Sequence, residues 1–327
     1  MAKVSAAAKS SSVTGIIAMN PQSSQDAAAG SAPPTSAASS PVLTATALAP
    51  MTAGLGLRRV LMDSLADLPD GSLDFMEVAP ENWINLGGRL KKQFRQFSER
   101  YPIYLHGLSL NIGGTAPLDR DLLLAIKAFM AEHQCPIYSE HLTYCGDDGH
   151  LYDLMPIPFT EEAVKHVSER VKQVQDVLQQ PIALENASYY CAPDQQMSES
   201  EFINLVIAES DCDLLLDVNN IYVNSINHRY DPYQFLESLP LQRARYIHVA
   251  GHYEEAEDLR VDTHGADVID PVWEILKAAY RLCGPLPTLL ERDFNFPPLT
   301  ELLEEVATIR AAQAAALSAG QQQVAGL

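Results

Sequence analysis

Seven apolar stretches of this 327-residue chain end on a side chain that can bind a metal ion: Glu77, His106, Glu140 with His141, Glu185, Asp217, His248 and Glu291. A buried carboxylate is costly unless it is paired or coordinated, so an apolar run that ends on one needs a reason. A lone Glu or His in such a place is commonly a structural hydrogen-bonding residue. Seven in one chain demand a shared cause, and metal binding supplies it. The mixture of imidazole and carboxylate, without a thiolate pair, suits iron, manganese or zinc rather than copper(I) or an iron–sulfur cluster. So many candidate ligands exceed what one ion can use, which points to two or three ions sharing carboxylates. Farther along, Asp262-Thr-His-Gly265 adds a D-x-H pair that would send both side chains to one side of an extended loop, beside His248 and His252. Gly265 would permit a tight turn just after it.

Chemistry of this kind requires elements that bring the seven ends together. Short apolar runs alternate with longer segments of helical period, the pattern of repeated strand–helix units and a parallel sheet. Eight strands are predicted at 54–58, 73–78, 102–106, 136–140, 181–185, 213–217, 245–249 and 287–291. Helices are predicted near 59–67, 88–99, 119–133, 160–179, 198–209, 231–238, 268–282 and 299–315, with Asp119 and Thr160 as N-caps. Eight such units fit a closed (β/α)8 barrel, whose strands end at one mouth where active sites of this architecture lie. Two half-sized Rossmann domains are the rival arrangement, but no G-x-G-x-x-G follows a strand. The barrel is expected over 51–310. Residues 1–50, rich in Ala, Ser, Thr and Pro, are expected to be disordered, and 311–327 to form a flexible Ala/Gln tail.

Charge and cysteine usage narrow the function further. The chain carries −20, and because residues 1–50 carry +1 the remainder carries −21. Such a field repels phosphate backbones and suits cations or a basic peptide, although a charged surface also serves solubility. No apolar run is long enough for a membrane span. Val13 to Met19, interrupted by Thr14 and Gly15, makes a poor export signal. Five widely spaced cysteines without a C-x-x-C pair read as reduced thiols of a cytoplasmic protein, with Cys135 and Cys212 as small buried hydrophobes. Tyr144, Tyr152, Tyr189, Tyr190, Tyr222 and Tyr253 follow strand ends and could line a groove or simply pack loops.

Taken together, the motifs resemble those of the multinuclear non-haem iron-dependent oxidases, a family with a xylose-isomerase-like barrel. The resemblance runs from about Gly54 to Ala307 and rests on Glu77-Val-Ala-Pro-Glu-Asn82, Leu105-His-Gly107, Ser139-Glu-His-Leu142, Leu184-Glu-Asn186, Leu216-Asp-Val-Asn-Asn-Ile-Tyr-Val223, Ile247-His-Val-Ala-Gly-His252, Asp262-Thr-His-Gly265 and Leu289-Leu-Glu291. It implies His106 and His141 as ligands of one iron, with Glu185 and Glu291 binding or bridging, and Asp217 and His248 as ligands of a second. Asp262 and His264, with an asparagine of the Asp217-Val-Asn-Asn220 segment, would hold a third. Asn219 is preferred to Asn220 because it would share Asp217's side of an extended chain. His141, Glu185, Asp217, His248 and Asp262 are the expected catalytic members, while Glu77, Asn82, Glu140, Asn186 and His252 would support ligands or touch substrate.

Two departures stand out: Arg58-Arg-Val-Leu-Met62 stands where many relatives carry a His after the first strand, and Ala79 lies where many have His. The resemblance implies iron- and dioxygen-dependent modification of cysteines in a ribosomally made precursor peptide, by two or three irons of mixed ferrous and ferric state. A separate partner protein would present the peptide, and a homodimer is open. Two alternatives stay in view: a di- or trinuclear hydrolase or isomerase of the same barrel class, and a non-catalytic metal-binding or peptide-carrier protein.

Overall fold

The computed structural model describes residues 51–146 and 150–325, so the disorder expected of residues 1–50 lies outside the described residues. The strands are β1 (Ala53–Gly56), β2 (Phe75–Val78), β3 (Ile103–Gly107), β4 (Tyr138–His141), β5 (Thr143–Gly146), β6 (His150–Pro156), β7 (Ala183–Glu185), β8 (Asp213–Asp217), β9 (Ala244–Ala250), β10 (Tyr253–Ala256), β11 (Leu259–Val261) and β12 (Thr288–Glu291). The helices are α1 (Met62–Ala66), α2 (Gly88–Ser98), α3 (Arg120–His133), α4 (Glu161–Leu178), α5 (Glu199–Ser210), α6 (Val218–His228), α7 (Pro232–Ser238), α8 (Asp270–Cys283) and α9 (Leu299–Ala325). Eight strands close into a parallel barrel in the order β1-β12-β9-β8-β7-β4-β3-β2, and each coincides with a predicted strand. Asp119 and Thr160 cap α3 and α4 as expected, accepting from the amides of Leu122 and Ala163. Among the described residues no helix is long and apolar enough to cross a membrane.

Three features differ from expectation. Helix α6 begins directly at Val218, without a loop, because Asp217 both ends β8 and caps the helix by accepting from the Asn220 amide at 2.6 Å. Valine and asparagine are weak helix formers, which makes this stretch read as extended in sequence; burial of Val218, Ile221 and Val223 overrides that preference. Two antiparallel hairpins, β5–β6 and β10–β11, rise from the mouth after β4 and β9. The supposed tail from 311 is the continuation of α9: alanine is the best helix former, and the buried Gln313 ties the helix to the carbonyls of Thr52 and Leu286.

Strand register fixes which side chains face inward. Gly54 pairs with Phe75 and Leu289, Gly56 with Glu77, His106 with Ser139, His141 with Glu185, and Asp217 with His248. The inner layer nearest the strand starts is apolar: Phe75, Tyr104, Ile137, Ala183, Leu215, Tyr246 and Leu289 fill it. Above it every inward position is polar, apart from glycine on β1. Phe75 stacks on Tyr104 with ring centroids 4.2 Å apart and fills the room left by Gly54, where an added Cβ would lie 2.7 Å from the ring. Gly54→Val should therefore overpack this layer at a cost of about 1–3 kcal/mol. Thermal unfolding should show a lower Tm, by roughly 2–4 °C for each kcal/mol lost.

Candidate metal centre

Two walls of polar side chains stand on the apolar layer. On one, His106 of β3 and His141 of β4 bring their Nε2 atoms to 3.1 Å, and Oε2 of Glu185 on β7 lies 3.0 and 3.3 Å from them. The far nitrogen of His141 donates to the Gly107 carbonyl at 3.0 Å, which leaves its Nε2 as a lone pair. Two imidazoles and a carboxylate thus aim acceptor atoms at one point. Ligand atoms bound at about 2.1 Å to a common ion lie about 3 Å apart when at right angles, so this triangle has the dimensions of a coordination site.

The other wall is built from Asp217, His248, Glu291, His264 and Asp262. Nδ1 of His248 is 3.0 Å from Glu291 Oε2 and 4.0 Å from Asp217 Oδ2. Nδ1 of His264 is 3.5 Å from the same Glu291 oxygen, and its Nε2 is 2.7 Å from Asp262 Oδ1. Asp217 is held firmly: Asn186 accepts from its amide and donates to its carbonyl, both at 2.9 Å, and the positive end of α6 faces its carboxylate. Glu185 Oε2, Asp217 Oδ2, Asn220 Oδ1, His248 Nδ1 and His264 Nε2 are buried without a hydrogen-bond partner. Such orphaned atoms are rare in a folded protein, and five of the ten found among the described residues share one end of one barrel. Three triads, His106–Glu185–His248, Glu77–His248–Glu291 and Asp217–His264–Glu291, each place three donor atoms within 4.8 Å of one another. The donor set fits divalent ions that accept nitrogen and oxygen.

The centre floors a cavity of about 900 Å³. Its rim carries Arg58, Arg59, Trp83 and Leu108 on one side, and Asp153 to Pro156 of β6, Tyr190 and Cys191 on the other.

The family described as RiPP precursor modification enzyme MbnB/TglH/ChrH matches residues 52–314. The chain belongs to this family. A UPF0276 protein of Shewanella sediminis is 60% identical over 253 residues, spanning 77% of this chain and 91% of the relative. One of Pseudomonas aeruginosa is 54% identical over 261 residues, 80% of this chain and 92% of its own. Among solved structures, a xylose isomerase-like TIM barrel protein from Mycobacterium smegmatis aligns with a TM-score of 0.53 over 82% of this chain and 98% of its own, at 14% identity, which shows the shared fold.

Within this member of the MbnB/TglH/ChrH family, most predicted site residues meet at the mouth. Glu140 does not. It lies on the outer face of β4, opposite His141, accepts from the Tyr138 hydroxyl at 2.5 Å, and is pushed by burial up to about 8. Adjacent residues of a strand face opposite ways, so only one of the pair could reach the barrel interior. The extended-chain reason for preferring Asn219 fails because both asparagines are in the first turn of α6. Asn219 nevertheless joins the Asp262 group: its amide nitrogen donates to Asp262 Oδ1, and its oxygen is 2.8 Å from His252 Nδ1. Asn220 instead donates to Glu185 Oε1 at 3.1 Å and lines the cavity. Asn82 lies at the exposed rim, and His252 is buried behind Asn219. The turn at Asp262-Thr-His-Gly265 falls on His264 itself, with φ of 49°, while Gly265 makes room for the Phe294 ring.

Sequence reasoning missed Asp293. Its Oδ2 is 3.2 Å from His264 Nδ1, and its Oδ1 accepts from Arg58 at 2.6 Å. Spacing two residues beyond Glu291 was the available signal. Of the six tyrosines, Tyr190 alone reaches the cavity among the described side chains, and all five cysteines are unpaired, with Cys135 and Cys212 buried.

Burial alone would lower the His106 imidazole, but Glu185 beside it prevails and raises it to about 9. Burial and the neighbouring His106 push His141 down to about 4. Burial would raise Glu185, yet the imidazoles of His141 and His106 bring it to about 2. At neutral pH the metal-free triangle therefore holds a proton on His106, which an arriving cation must displace. Affinity for a divalent ion should rise with pH up to about 9, by about tenfold per unit for each proton released. Chelator competition at pH 6 and pH 8 should accordingly differ by about a hundredfold for one displaced proton.

Proposed function

We propose that this protein oxidatively modifies cysteine residues of a ribosomally made precursor peptide, using two or three iron ions of mixed ferrous and ferric state and dioxygen. The observation that carries this reading is the convergence of orphaned, buried imidazole and carboxylate atoms on the floor of an open cavity. His106 and His141 would hold one ion and Asp217 and His248 a second, with Glu185 and Glu291 binding or bridging neighbouring ions, and Asp262, His264 and Asn219 would hold a third. Iron held by these residues would supply the redox couple for oxidation of a peptide thiol by dioxygen.

The chain's own residues prepare the surroundings. The packed apolar layer excludes water from the strand side, so each polar contact above it acts in a low dielectric. Asp293 orients His264, and Ser188 with Asn219 fixes both oxygens of Asp262. The cavity is near the upper end of the size range of small-ligand pockets and lies open to solvent, as entry of a chain segment requires. The acidic chain favours a peptide with a basic leader, delivered by a partner protein in the cytoplasm.

The test combines metal analysis and Mössbauer spectroscopy of anaerobically purified protein with oxygen uptake in the presence of a cysteine-containing precursor peptide encoded nearby. Iron and peptide-dependent oxygen uptake are expected, with a mass change confined to cysteine. His141→Ala and Glu185→Ala should each lose bound iron and all conversion. Normal turnover by metal-free protein would overturn the reading, and full activity with zinc in the absence of oxygen would replace it with a hydrolase or isomerase.

A further inference from the structure

Beneath the two walls runs a set of contacts that ligand binding does not account for. Nδ1 of His106 is 2.8 Å from Ser139 Oγ, that oxygen is 2.7 Å from the Tyr246 hydroxyl, and the hydroxyl is 2.7 Å from Glu77 Oε2. The same Glu77 oxygen is 3.0 Å from Nε2 of His248. All five side chains are buried, none more than 5% exposed. The two histidines stand on β3 and β9, which are opposite strands of the closed barrel, so the chain of contacts crosses its interior.

The hydrogens can be assigned from donor and acceptor capacity. A carboxylate only accepts, so the Tyr246 O–H and the His248 Nε2–H both point at Glu77. With its hydrogen committed, the tyrosine oxygen accepts from Ser139, whose alternative partner, the Leu105 carbonyl, is farther away at 3.1 Å. The serine oxygen then accepts from His106 Nδ1–H. Every hydrogen points toward Glu77. Consequently, once an arriving ion displaces any second proton, His106 offers it Nε2 and His248 offers it Nδ1. These are the nitrogens that face Glu185 and His141 on one wall, and Glu291 and Asp217 on the other. Glu77 also belongs to a triad with metal-site geometry, but the oxygen nearest His248 is already engaged twice.

We propose that Glu77, acting directly on His248 and through Tyr246 and Ser139 on His106, is the one anion that sets the tautomers of both histidines and so prepares the two halves of the centre together. This rests on the reading of the cluster as a metal centre. Glu77, Tyr246 and Ser139 are positioning residues in it: partners that hold the far nitrogen of a ligating histidine typically change metal affinity by about 10–100-fold.

The test measures ferrous and zinc ion stoichiometry and affinity of the full-length protein by chelator competition, with thermal unfolding as the check on folding. Nitrogen-15 NMR of the zinc-loaded protein reports the two histidine tautomers. Tyr246→Phe and Ser139→Ala should weaken one ion by about tenfold or more and shift the His106 Nδ1–H signal, leaving His248 unchanged. Ser139→Thr, which keeps the hydroxyl, should restore both. Glu77→Gln should weaken two ions and disturb both tautomers. Wild-type affinity and an unshifted His106 Nδ1–H signal in folded Tyr246→Phe would overturn the proposal while leaving the metal centre standing, as would equal losses in Ser139→Ala and Ser139→Thr. Failure of the wild-type protein to bind either ion would instead remove the metal reading on which it rests.

Discussion

Acceptor atoms packed together in a dry interior repel one another unless protons or cations lie between them. Glu77, Glu185, Asp217 and Glu291 meet His106 and His248 under that condition, each buried above an apolar layer. In a medium of low dielectric the repulsion is far stronger than in water, and removal of one partner leaves the others uncompensated. The surrounding architecture answers this constraint at each point. Helix α6 turns its positive end to Asp217, Arg58 lies against Glu291 and Asp293, and the tyrosine and histidine donors at Glu77 satisfy one of its oxygens twice. What these devices leave unsatisfied at the centre is one atom each of Glu185, Asp217, Asn220, His248 and His264.

The same constraint explains how much was legible in the sequence. Inside a parallel barrel a strand buried on both faces is apolar throughout, so a terminal Glu, Asp or His stands out against it. All eight strands and the convergence of His106, His141, Glu185, Asp217, His248 and Glu291 were readable for that reason. Face was harder to read than position. Glu140 and His141 are neighbours, and only the register of β4 against β3 and β7 decides which of them enters the barrel. Helix α6 was hidden because its start is fixed by one cap and by burial rather than by composition. Ser139 and Tyr246 carried a weak signal, each two residues before a histidine on the same strand, and hydroxyl residues inside strands are common for other reasons.

The fold and the family speak to different levels. Similarity to a xylose isomerase-like barrel at 14% identity shows a scaffold that presents strand ends at a mouth. Identity of 54–60% with UPF0276 proteins over most of their length shows one family on that scaffold, whose mouth in this chain carries the residues described above. Function resides in those residues rather than in the barrel. Here they form a continuous polar layer whose members share partners, so the substitution of one is felt by several others.

One sector of that layer is bare. Gly54 and Gly56 give β1 no inward side chain, and the Arg58 guanidinium occupies the space, lying 2.9 Å from where a Cβ on Gly56 would be. In evolutionary terms this makes the end of β1 the place where the barrel can change the charge beside its centre without moving a strand or exchanging an inward-facing acceptor. Replacement of Arg58 would alter the counter-charge on Glu291 and Asp293 directly while the remaining walls stay fixed.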